Sequence, residues 1–95
     1  MPNTITAPTL TLPIFHLNGS GPRNILEDHR TALEAVETAI EQVCKAAPNM
    51  RDYYISNDPG AFDKARTEHF ARVALLTKVK DELTVIAQHA MEHLR

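Results

Sequence analysis

A chain of 95 residues is one domain, near the lower limit of what can bury an adequate core by itself. Its 43% hydrophobic and 23% charged residues exclude global disorder. A net charge of −2 gives no general pull toward nucleic acid or an anionic membrane, and no run approaches the roughly 20 apolar residues that span a bilayer.

Residues 1–21 differ in character from the rest. They are rich in threonine, and Pro2, Pro8 and Pro13 forbid a helix. The alternation of Thr9, Leu10, Thr11 and Leu12 predicts a short strand or a polyproline-like stretch, so this part reads as an extended N-terminal arm. A strand here has no partner in the chain and must lie on the helices or pair with another subunit. The opening residues lack the basic start and long apolar core of a secretory leader, and the chain reads as cytoplasmic.

Residues 22–95 read as a helical hairpin domain. The first helix is expected from Ser20–Asn24 to about Ala47, with Gly21 and Pro22 at its start and Pro48 stopping it. Glu27 and Asp28 are expected near the positive end of its dipole. Leu26, His29, Leu33, Val36, Ile40, Val43 and Ala47 recur at threes and fours and form a narrow apolar seam. Cys44, the only cysteine, reads as a buried small apolar residue.

The second helix is expected to start with Asp58 as N-cap and Pro59 in its first position, then run unbroken to Arg95. Its seam is Phe62, Ala65, His69, Val73, Leu76, Val79, Leu83, Ile86 and Ala90. The short link makes the pair antiparallel. The fold class is therefore all-α, a hairpin of two long helices with an extended arm. Two helices cannot surround a core, and Phe70, Leu75, Val85 and Met91 fall off the seam. These four read as a second stripe for oligomer contact, and the alternative is that the arm covers them.

The link itself holds the chemistry. Only five residues are aromatic (Phe15, Tyr53, Tyr54, Phe62 and Phe70), and two of them stand together in "NMRDYYISNDPG". A tyrosine face stacks on a base, the Arg51 fork suits phosphate or carboxylate, and Asp52 accepts from ribose hydroxyls or a base edge. The plainer alternative is that Asp52 pairs with Arg51 or caps the turn and the tyrosines plug the end of the hairpin. Adjacent side chains rarely point the same way, so at most one tyrosine is expected to meet a ligand. Arg66, His69 and Arg72 follow helical spacing just beyond, in a segment where Lys64–Lys80 holds five basic residues and one acid. That suits one small anion, or else charge matching with the acidic first helix. A nucleic-acid track would need more. His16 and Asn18, in "IFHLNGSG", either contact a ligand or anchor the arm, and Asn18-Gly19 is also a plain turn signal.

Enzymatic chemistry is not expected. His89 and His93 have metal-binding spacing but lack a third ligand. A Cys44–His69 approach is geometrically open, but both lie on apolar seams, where a satisfied core histidine is the plainer reading; no Ser/His/Asp constellation assembles, and no metal or cofactor is implied.

The segments "LPIFHLNGSG", "RDYYISNDPGAFDKARTEH" and "LTVIAQHAMEH" together resemble a group of small phage and prophage accessory proteins. That group carries an I-H-L-N-G-T/S entry, an N-G-R-D-Y-Y-P-Q-G loop and an A-R-x-E-H helix. His16, Leu17, Asn18, Gly19, Arg51, Asp52, Tyr53, Tyr54, Arg66, Glu68 and His69 match the pattern. Met50 stands in place of its glycine and "ISN" in place of its Pro-Gln-Gly. The resemblance implies a phage setting, in which small proteins often counter host defence, some by sequestering nucleotide signals in oligomeric helical assemblies. The expected function is thus a non-enzymatic homo-oligomer that binds a small anionic ligand, a cyclic or linear nucleotide. The rival is a helical module that binds and inhibits a host or phage protein.

Overall fold

The computed structural model describes residues 10–94. Of the expected arm, residues 1–9 lie outside the described residues, and so does Arg95. Two α-helices, α1 (Pro22–Lys45) and α2 (Ala61–Glu92), pack together as an antiparallel hairpin, joined by a link that contains one 3-10 turn, Met50–Asp52. The described residues contain no strand; Thr11–His16 is irregular, so the strand alternative for the arm fails there. The result is a rod measuring 62 × 30 × 19 Å.

Each helix boundary has a local cause. Gly21 is extended at the N-cap of α1 and Pro22 follows in the first turn, where its missing N–H costs nothing. The helix ends at Lys45, earlier than expected: Ala46 N–H donates to both Gln42 and Val43 carbonyls, and Pro48 bars helical geometry at the residue before it. Glu27 and Asp28 sit in the second turn, beyond the turn that feels the dipole most, which corrects their assignment to its positive end.

The start of α2 also moves. Asp58 was expected to cap it, but its Oδ1 accepts from the N–H of Gly60 and its carbonyl accepts from Ala61 N–H. Asp-Pro-Gly folds on itself as a separate turn, and Gly60 becomes the N-cap.

The buried apolar core lies at the open end, away from the link, and consists of Leu26, Ala87 and Ala90. Two alanines on α2 let the helices approach closely, and Leu26 fills the space between. Phe15, Ile25, Leu33 and Leu94 pack around them. The arm is clipped on here: His89 Nε2 lies 2.8 Å from the Pro13 carbonyl, and the Phe15 ring stacks on that of His89 at 5.5 Å and lies tilted against that of His93 at 4.9 Å. Further along, the apolar seam residues are half-buried, or exposed at Ala47 and Val79, and His69 is buried. Cys44 is exposed, one residue and about 100° round the helix from Val43, which overturns its reading as buried.

The second stripe is corrected as well. At about 100° per residue, Phe70 and Leu75 point about 140° apart, and Val85 and Met91 lie on further bearings, so the four do not form one face. Among the described residues the arm does not cover Phe70 or Leu75, which are 62% and 66% exposed.

Candidate functional site

The closed end is built by hydrogen bonds within the link. Asn49 caps the 3-10 turn, its Oδ1 accepting from Arg51 N–H at 2.9 Å. The N–H groups of Asp52, Tyr53, Tyr54, Ser56, Asp58 and Gly60 are likewise satisfied locally. Those donors are not offered to a ligand, which leaves the link's side chains as its main means of holding one.

The turn sends the two tyrosines different ways. Tyr53 is half-buried, its ring centroid 6.3 Å from that of Phe62, and it seals the end of the hairpin. Tyr54 is 73% exposed. The Arg66 guanidinium lies 5.5 Å from the Phe62 ring centroid and 3.6 Å from Asp63. Tyr53 and Arg66 both contact Phe62, with Arg66 steadied by cation–π contact and partly neutralised by Asp63. Arg51 and Asp52 are exposed, and neither takes part in an ion pair among the described residues.

Asp58 is locked to the same end by Lys64, whose Nζ lies 2.6 Å from its Oδ2. The Lys64 ammonium, and then the Gly60 N–H, hold the Asp58 carboxyl below the ordinary aspartate range. A depressed folded-state pKa stabilises the fold above the unfolded pKa near about 4 and ceases to do so as pH falls through the folded value. Lys64→Met is expected to return the Asp58 midpoint upward toward the ordinary range in a carbon-detected NMR titration.

The remaining expected residues do not gather here. His69 is 6% exposed and lies on the seam, turned from solvent, and no hydrogen bond to its ring occurs among the described residues. It is closed to a ligand at the tip of a single protomer. Arg66 and Arg72 flank that seam about 120° apart, so Arg66, His69 and Arg72 do not share one open face. His16 and Asn18 belong to the arm at the opposite end of the rod. There His16 Nδ1 accepts from Asn18 N–H at 3.3 Å and the Gly19 N–H closes the turn onto the His16 carbonyl.

Two features escaped the sequence reading. The clip of Phe15 against His89 and His93 joins residues far apart in the chain, and no local spacing announces it. A shallow groove of about 320 Å³ on the outer side of α2, lined by Asp63, Lys64, Thr67 and Glu68, includes none of the expected ligand residues. Among the described residues no group of three or more metal-ligating side chains comes together, and no helix is long and apolar enough to cross a membrane.

Fold and tip together define a helical hairpin with an aromatic and cationic turn. No family model matches the chain, and no solved structure matches it. Over 58 residues, 60% of this chain, it is 47% identical to the capsule polysaccharide export inner-membrane protein CtrB of Neisseria meningitidis serogroup B (strain ATCC BAA-335 / MC58). That match takes in 14% of the length of CtrB.

Proposed function

We propose that the chain is a non-enzymatic, homo-oligomeric phage protein of the host cytoplasm that holds a small anionic ligand at the hairpin turn. The ligand is a cyclic or linear nucleotide signal, and holding it blunts a host defence. The observation that carries this reading is the tip itself: an exposed arginine with no carboxylate partner among the described residues stands three residues from a 73% exposed tyrosine. Packing requires neither. Arg51 supplies charge and a planar fork for phosphate, Tyr54 a stacking face, and Asp52 an acceptor. Arg66 adds a second positive charge beside Phe62. The resemblance of the loop to phage accessory proteins supports the setting. The CtrB segment is too small a part of that protein to bring its export role with it.

Titration calorimetry of the folded protein against a panel of cyclic and linear nucleotides tests this. Heat that saturates with at least one of them is expected; none with any member overturns the reading. The rival, an interaction module for another protein, is favoured by the exposure of Phe70 and Leu75. Under it, alanine at those positions abolishes partner capture and alanine at Arg51 leaves it intact.

A further inference from the structure

Every exposed large hydrophobic residue of the two helices lies on α2: Phe70, Leu75, Val79 and Met91. Two of these share a flank with charged neighbours. Glu68, Arg72, Leu75, Val79, Glu82 and Ile86 follow one another at intervals of four, three, four, three and four. That alternation is the heptad spacing of a helix–helix seam, and all six side chains are exposed or half-exposed. It overlaps the expected seam at Val79 and Ile86, but Val79 is 43% exposed and Glu68, Arg72 and Leu75 are exposed with it, so the hairpin leaves this stretch unpartnered.

We infer that this flank of α2 packs against the same flank of a second copy, antiparallel, about a twofold axis at position 77. Its central four positions, Arg72, Leu75, Val79 and Glu82, are self-complementary in that arrangement alone, while Glu68 and Ile86 lie at the ends of the contact. Leu75 then meets the partner's Val79, Arg72 meets the partner's Glu82, and the twofold repeats both contacts. Parallel packing would set Arg72 on Arg72 and Glu82 on Glu82. Neither Arg72 nor Glu82 has an ion-pair partner among the described residues. The wider charge distribution agrees: residues 61–80 hold five lysines and arginines against two acids, while residues 81–92 hold three acids and neither cation. Antiparallel copies lay the basic half on the acidic half. The axis falls near the middle of the 32-residue α2, so the overlap extends along most of its length. The inference does not depend on the ligand reading.

The test is a charge exchange followed by sedimentation. The parent chain is expected to sediment as a dimer or a multiple of one. Arg72→Glu, and separately Glu82→Arg, place like charges together at both ends of the contact and are expected to weaken association about tenfold or more. The double variant R72E/E82R restores the opposite charges and is expected to recover it. Circular dichroism checks that each variant keeps its helices, and either single variant suffices if the other fails to fold. A parent that stays monomeric at every concentration overturns the inference. So does an oligomer that ignores the single reversals, or one that the double exchange does not rescue, because either places the contact elsewhere.

Discussion

Replacing Leu26 by alanine is expected to cost about 2–4 kcal/mol and to lower the midpoint of thermal unfolding by about 10–25 °C. Leu26 is the only large side chain among the three buried apolar residues, and it is 4% exposed. Its partners Ala87 and Ala90 cannot fill the space it would leave, because their backbones already set how closely the helices approach. Phe15, Ile25, Leu33 and Leu94 lean on the same point, so the arm is expected to loosen with it. Ile14→Ala is the control: its side chain is largely in solvent and should change stability by less than about 0.5 kcal/mol. Equal melting curves for the two variants would show that the open end does not hold the hairpin together.

The second large effect concerns the tip. Arg51→Ala is expected to weaken binding of the nucleotide found by calorimetry by about 10- to 150-fold, the loss of one charged hydrogen-bonding group worth about 1.5–3 kcal/mol. The fold should not notice, since the backbone N–H of Arg51 makes the Asn49 contact and its side chain makes no ion pair among the described residues. Tyr54→Ala should weaken binding with the fold intact, whereas Tyr53→Ala should lower stability through its lost contact with Phe62. An unchanged dissociation constant in Arg51→Ala would move the ligand away from the turn.

The hairpin was legible because its seams repeat at threes and fours over many turns, and such a signal survives local error. The first helix could be placed from Gly21-Pro22 and Pro48 alone. Asp58 was misread because an aspartate before proline signals a helix cap and a free-standing turn equally well, and only the bond to Gly60 distinguishes them. Cys44 was misread because its neighbour Val43 is on the seam, and apolar character in a run does not fix which bearing a side chain takes. At the tip, the sequence named the residues but not their directions. Which tyrosine faces out depends on the 3-10 turn at Met50–Asp52, a geometry with no unique signature. His16 and Asn18 were grouped with Arg51 by motif, and the length of the rod separates them within a protomer.

The exposed sulfur at position 44 has a practical corollary. In aerated buffer two molecules could join covalently there and mimic natural self-association, so sedimentation runs belong under reducing agent. The same solitary thiol accepts a spin label or dye without competition, turning inter-molecular geometry into a measurable distance.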